Sequence, residues 1–182
     1  HDFNPNTDMM EFSDLQEIDK WALIRLSKLT EKVLAAYRAY EFHIVQHAIH
    51  NFCIVDMSNF YLDVIKDRLY TQKANSPARR AAQTTMYKIL DALVKLLAPV
   101  LAYTAEEIWS FMPHTDKENQ EFVLLNDMPK PTPELYDEAF EAKWDQILAV
   151  KADVSKALEN ARAAKVIGHS LGADGEIFAD GA

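Results

Sequence analysis

The chain has 182 residues, a formal net charge of −9 and an acidic pI near 5.1, which argues against a general, non-specific nucleic-acid binder but leaves room for a local anionic-ligand site. Apolar residues at 49% suffice for a core of one domain, or one domain plus a fragment, and only four glycines favour long helices over tight turns. The single Cys53 excludes an intrachain disulfide and suits a reducing, cytoplasmic setting; no apolar run reaches membrane-spanning length, and the polar lead-in HDFNPNTD lacks the regions of a signal peptide.

The chain starts without Met and ends in a polar, glycine-containing tail, so it reads as a piece excised from a longer protein. Residues 1–12 read as an irregular lead-in. Ser13 with Gln16 forms a capping-box signal. Ala22, Leu26, Leu29, Val33, Ala36 and Tyr40 follow at three- and four-residue spacing, one face of a first helix reaching about Tyr40. A second helical run extends to about Tyr70, with Val45, Ile49, Phe52 and Val55 on its first stripe and Leu62, Ile65 and Leu69 on its second. Asp56, Ser58 and Asn59 between them are weak helix formers, and predict a kink or break there without Pro or Gly.

Residues 71–76 form a polar turn, and Ser76-Pro77 is the chain's strongest helix start: an N-cap hydroxyl, then proline at the first helical position. The third helix carries Ala82, Met86, Ile89, Leu93, Leu96 and Leu97 on one face and runs into Pro99, which ends or kinks it. Thr104 with Glu107 predicts a capped short helix through Trp109 to Met112. Residues 113–133 hold four prolines and form the longest connection, with a short extended piece at Phe122–Leu125. Thr132-Pro133-Glu134 repeats the start signal for a last helix carrying Phe140, Trp144, Ile147, Val150 and Val154, which ends at Gly168. Glu176–Ala179 reads as a strand without partners. These elements predict an all-α fold, an antiparallel bundle of four to five helices over residues 1–168, with a short irregular C-terminal tail at 169–182 that begins a following region.

His43, His47, His50 and Cys53 share one helical face and carry the usual zinc ligands, yet four ligands rising along one helix cannot all close on a single ion. They read as a polar face, and no metal site is expected. Neither a nucleophile elbow nor a glycine-rich phosphate loop is present, so catalysis by this segment alone is not expected. Between Lys66 and Lys95, seven basic and two acidic residues make a local +5 within the chain's −9. Asn59, Asp63, Lys66 and Tyr70 share one helical face there, and Arg80, Gln83 and Tyr87 another. Arg and Lys pair with phosphates, Asn and Gln read base edges, and Tyr stacks on unpaired bases. On spacing alone three readings stay open: a solvated face with buried tyrosines, a site for RNA or another anion, and a protein interface.

Segments 40–43 (YEFH), 51–56 (NFCIVD), 58–63 (SNFYLD), 66–70 (KDRLY) and 79–84 (RRAAQT), then 96–101 (LLAPVL), 104–109 (TAEEIW), 157–162 (ALENAR) and 165–171 (KVIGHSL), occur in an order that resembles the anticodon-binding domain of isoleucyl-tRNA synthetases. The 96–109 segments are shared with valyl and leucyl relatives; 58–70 and 167–171 point to the isoleucyl branch. The resemblance covers about residues 1–175. It implies a class I parent enzyme, isoleucine–tRNA ligase, that joins isoleucine to its tRNA with ATP and Mg, with Zn a further candidate elsewhere in the parent. The catalytic signatures and the editing domain are absent from this sequence, so the segment is expected to be inactive by itself. Its implied partners are the anticodon stem-loop of tRNA(Ile) and the missing catalytic and editing domains, with no membrane; its implied task is to position the tRNA.

The motif positions carried over as tRNA-binding candidates are Asn59, Tyr61, Lys66, Arg68, Arg79, Arg80 and Gln83. Phe60, Leu62, Trp109 and Pro99 read as packing or helix-ending positions, and Asp63, Asp67 and Glu107 as orienting or capping groups. Gly172 departs from the pattern, where an acidic residue is usual, so the C-terminal boundary stays open. In that family a further C-terminal region also contributes to anticodon reading. The alternative is a helical protein-interaction module that docks partners through its Pro-rich connection or last helix.

Overall fold

Helix-forming stretches broken by polar turns fold here into five helical rods, in a computed structural model that describes residues 2–169, 172–173 and 175–177. They are α1 (Glu17–Arg38); a continuous rod made of α2 (Phe42–Asn51), a π-helical segment (Phe52–Tyr61) and α3 (Leu62–Thr71); α4 (Pro77–Leu97); α5 (Ala102–Phe111); and α6 (Glu138–Ala163). No strand occurs among the described residues. His1–Tyr136 make one compact unit and Asp137–Ala182 a second. Residues 170, 171, 174 and 178–182 of the expected tail lie outside the described residues, and with them half of the expected 176–179 strand.

α1 is the central rod of the first unit, packing against α2, the π segment and α4. Its stripe of Ala22, Leu29, Val33 and Ala36 is buried as the spacing requires, and Trp21 meets Phe60 edge-on with ring centroids 5.1 Å apart. The short turn after α1 is a Schellman motif: Glu41 N–H donates to Ala36 O at 2.9 Å and Tyr40 N–H to Tyr37 O at 3.1 Å. It forces Tyr40 into the left-handed region, φ 59°, a position where glycine is usual. α6 closes in the same way at Lys165, φ 59°, with Val166 N–H donating to Ala161 O.

The kink expected near Asp56–Asn59 takes the form of ten π-helical residues. The wider turn changes which residues share a face, so Phe52, Asp56, Met57, Phe60 and Tyr61 all turn inward. Asp56 among them is held by Arg25 of α1, whose Nε and Nη2 donate to its carboxylate at 3.0–3.3 Å. Burial raises the Asp56 pKa, and the Arg25 charge and hydrogen bonds oppose the rise.

Local start signals succeed at one site and are displaced at three. Ser76 Oγ accepts from Arg79 N–H at 3.3 Å with Pro77 at the first position of α4, and α4 ends just before Pro99. Ser13, by contrast, lies in a 3-10 turn, and α1 starts after Gln16 with no side-chain cap. Thr104 and Glu107 lie inside α5, which starts at Ala102 because Leu101 N–H and Ala105 N–H already bond back to Leu97 O and Leu101 O. Thr132-Pro133 opens only a 3-10 turn (Pro133–Leu135), since Tyr136 is extended; Asp137 then caps α6, its carboxylate accepting from Phe140 N–H at 3.0 Å. The expected extended piece at 122–125 is a 3-10 turn at Val123–Leu125, pinned by Asn126 and Asn119 side chains.

Trp109, fully buried, anchors the α4–α5 end of the core with Val94, Ala105 and Val123, and its indole N–H donates to Asn119 O at 3.1 Å. Beside it Lys95 bonds Asp91 and Glu118, tying the long connection to α4. Leu62, expected to pack, is 40% exposed because the π-winding turns its neighbour Tyr61 inward instead.

Candidate nucleic-acid interface

The chain's concentrated positive charge lies where α3 ends and α4 begins, joined by residues 72–76. Seven candidates from the sequence come to this region or just before it, and the fold sorts them into three groups.

Tyr61 and Arg68 are internal. Tyr61 is fully buried, and its hydroxyl donates to Asp19 Oδ1 at 2.7 Å. Burial first, then the neighbouring Asp19 charge, push the Tyr61 pKa far above the ordinary phenol range. Arg68 clamps the same carboxylate with Nη1 at 2.8 Å and Nη2 at 2.7 Å, and its side chain keeps only 14% exposure. Asp19, buried in the first turn of α1, thus joins α1, the π segment and α3. The structure thus places these two candidates inside the domain, the Tyr61 hydroxyl and most of the Arg68 guanidinium being taken up by Asp19.

Arg79, Arg80 and Gln83 form an edge on the first turns of α4, met by the lead-in. Arg79 pairs with the Asp2 carboxylate through both terminal nitrogens and donates to Leu69 O and Ala74 O at 3.0 Å. Arg80 donates to Asp2 O at 2.6 Å, Gln83 Oε1 at 2.9 Å and Asn75 Oδ1 at 2.6 Å, and pairs with Asp8 at 3.4 Å. Gln83 Nε2 donates to Asp2 Oδ1 at 3.0 Å. The Arg79 hydrogen bond, helped by Gln83 and Arg80 and opposed by partial desolvation, holds Asp2 well below the usual carboxylate range. Two arginines and an amide therefore already grip an anion here, and the anion is a carboxylate of the same chain.

Asn59 and Lys66 lie at the surface, Lys66 bonded to Asp63 at 2.6 Å. Tyr70, on the same α3 face as Lys66, is 85% exposed, and Lys73 in the turn is exposed as well. Tyr70 shares the spacing of Asn59 and Lys66 but is absent from the seven candidates, whereas Tyr61 is among them; periodicity places both tyrosines, and only the packing of α1 decides which one is covered. The arrangement has the parts of a single-strand RNA contact: cations for phosphates, an amide and an open aromatic face.

Residues 19–177 match the family described as the anticodon-binding domain of tRNA ligase. The chain belongs to this family. This anticodon-binding domain is 49% identical over 178 residues to an isoleucine–tRNA ligase of Desulfitobacterium hafniense, covering 98% of this chain and 19% of that protein. It is 53% identical over 171 residues to one from Syntrophotalea carbinolica, covering 94% of this chain and 18% of the relative, and 51% identical over 173 residues to one from Geobacter sulfurreducens, covering 95% and 18%. The domain thus spans about a fifth of the length of these relatives. The family match starts at Asp19, the carboxylate that joins three of the domain's helical segments.

The histidine stripe belongs to a different face. Among the described residues no group of three or more His, Cys, Asp or Glu side chains is placed to hold a metal ion, and no helix is long and apolar enough to cross a membrane.

Proposed function

We propose that this domain docks the anticodon stem-loop of tRNA(Ile) on the α3–α4 junction and so positions the tRNA for ATP-dependent aminoacylation by catalytic domains outside this chain. The observation that carries the reading is the cluster of Lys66, Tyr70 and Lys73 at the surface beside the Arg79/Arg80/Gln83 edge, in a chain whose relatives are isoleucine–tRNA ligases. Phosphate contacts from the cations would supply most of the affinity, and Tyr70 would supply a stacking platform. The domain performs no chemistry in this scheme: ATP, Mg and Zn chemistry, with editing, belongs to the other domains of a cytoplasmic ligase.

Binding of an RNA hairpin carrying the isoleucine anticodon loop tests this. The variant Lys66→Ala/Tyr70→Ala/Lys73→Ala should bind at least tenfold more weakly, since stacking is worth about 1–3 kcal/mol per base. Equal affinity of variant and wild type would remove the junction as the docking face. The second reading, protein docking, has its own observation on α6, where Ile147, Val150 and Val154 are 38–45% exposed along one stripe. Salt-insensitive association with another domain of the ligase, without RNA, would favour it.

A further inference from the structure

Along one face of α4 runs a groove of about 750 Å³. Gln83, Met86 and Leu90 form its floor at three- and four-residue spacing, covering about 10 Å of helix. Leu69 of α3 borders it on the junction side, and Phe111 and Met112 at the end of α5 on the other. The Tyr87 ring, packed on Phe3 with centroids 5.8 Å apart, also lines it, while the Tyr87 hydroxyl is bonded to Glu118. Met86 and Leu90 are exposed, and Phe111 is 85% exposed, so the apolar surface of the groove stands open.

Among the described residues lining this groove, none is charged. A phosphate inside it would have no counter-ion. What the lining offers instead is aliphatic and thioether surface, one open aromatic ring and one amide. Gln83 gives one N–H to Asp2 and accepts one bond from Arg80; a side-chain amide carries a second N–H and a second lone pair. An unpaired nucleobase needs this combination: apolar surface and an aromatic ring for its faces, and a neutral donor–acceptor for its edge.

The groove is continuous with the α3–α4 junction. Leu69 immediately precedes the open Tyr70, and Gln83 belongs to the Arg79/Arg80 edge. On its far side Phe111 also borders a hollow of about 480 Å³ that contains Glu107, whose carboxylate repels phosphates. Charge thus keeps an RNA backbone at the junction, and a base swung off that backbone points along α4 toward Phe111.

We propose that the α4/α5 groove receives one unpaired base of the anticodon loop, stacked on Phe111 against Met86 and Leu90, with Gln83 at its edge. The inference rests on the tRNA-docking reading above and names the part of the RNA that this groove takes; it calls on no further cation.

The test pairs the 182-residue chain with the isoleucine anticodon hairpin and with hairpins made abasic at one loop position at a time. In wild type, one abasic position should cost about tenfold in affinity, the scale of one lost base–aromatic stack. Phe111→Ala should lose the same about tenfold on the intact hairpin and nothing more on that abasic one. Its log–log salt slope should match wild type, since no phosphate contact is removed, whereas Lys66→Ala/Tyr70→Ala/Lys73→Ala lowers the slope. Phe111→Trp should bind at least as tightly as wild type. The unfolding midpoint of Phe111→Ala should stay in place, because the ring is 85% exposed at a helix end. 2-Aminopurine at the sensitive loop position should lose emission on binding wild type and keep it on binding Phe111→Ala. Unchanged affinity of Phe111→Ala, while the Lys66/Tyr70/Lys73 variant is impaired, would overturn the groove and leave the junction standing; if that same variant weakens association with the other domains of the ligase, the groove belongs to a protein contact instead. A loss in Phe111→Ala that is the same on the intact hairpin and on every abasic one would also overturn the base pocket. Failure of wild type to bind the hairpin at low salt would overturn both readings.

Discussion

Replacing Asp19 by Ala should destabilise the first unit's framework, and the matching change at Arg68 separates structure from RNA contact there. The Asp19 side chain has no exposure and accepts one bond from Tyr61 and two from Arg68, at 2.7–2.8 Å. Removing it leaves a phenol hydroxyl without its acceptor in the core, costing about 1–3 kcal/mol, and a guanidinium without its counter-ion, the larger part of the about 3–5 kcal/mol typical of breaking a buried pair. These terms overlap, so the expected loss is about 4 kcal/mol, or roughly a 10 °C fall in melting temperature for a chain of this size. Arg68→Ala should cost somewhat less, because the orphaned carboxylate can draw in water through the opening left by the side chain. In a double-mutant cycle the pair should show a coupling of about 2–3 kcal/mol. Denaturant unfolding gives the stabilities, and hairpin binding under folding conditions gives the affinity. Arg68→Ala should bind the hairpin as wild type does once the folded fraction is accounted for. A several-fold affinity loss in a fully folded Arg68→Ala protein, with little loss of stability, would refute the internal assignment and return Arg68 to the RNA face.

Further expectations concern the lead-in, a turn and a coupled acid pair. Asp2→Asn removes the carboxylate that Arg79 and Gln83 grip, so hairpin affinity should rise a few-fold at low salt and the gain should fade as salt screens it; an affinity loss would show that Asp2 organises the edge rather than competing for it. Tyr40→Gly should stabilise by about 0.5–1 kcal/mol in thermal unfolding, because the left-handed conformation strains a side chain that is 81% exposed and packs little. Asp91 is raised to about 6 chiefly by burial, with Lys95 opposing and Glu118 adding; Glu118 is held at about 2, since the Lys95 and Thr115 hydrogen bonds outweigh its own burial. The Asp91 contribution is therefore full below its ordinary 3.8 and lost as pH rises through 6, whereas that of Glu118 is full above its ordinary 4.5 and lost as pH falls toward 2. Relative to Asp91→Asn, wild-type stability should fall by about 2 kcal/mol between pH 4 and 6 in urea titrations; parallel curves would show that Asp91 is not the group responsible.

Local chemistry alone placed the helices and the buried stripe of α1, whereas the expected stripe of α6 is largely exposed, with Ile147, Val150 and Val154 open and Trp144 buried. Ser76-Pro77 starts α4 where its hydroxyl can reach Arg79 N–H, Pro99 follows its end, and the three- and four-residue spacing of α1 marks the face that is buried. The weak helix formers at 56–59 also marked the rod's irregular turn, though not its π-winding, which is accompanied by Asp56 reaching Arg25 on another helix. Capping signals at Ser13, Thr104 and Thr132 failed because nearby backbone turns already supply the bonds or the extended conformation that decides the start.

The family, and with it the expectation of tRNA docking, was legible in short ordered segments such as 58–70 and 79–84. What tertiary structure decided is which of those residues has a free face. Spacing assigns a residue to a side of its helix, but whether that side meets solvent depends on elements distant in sequence. Tyr61 and Arg68 are claimed by a carboxylate 42 and 49 residues earlier, and Arg79 by one 77 residues earlier. Tyr70, 85% exposed, remains open.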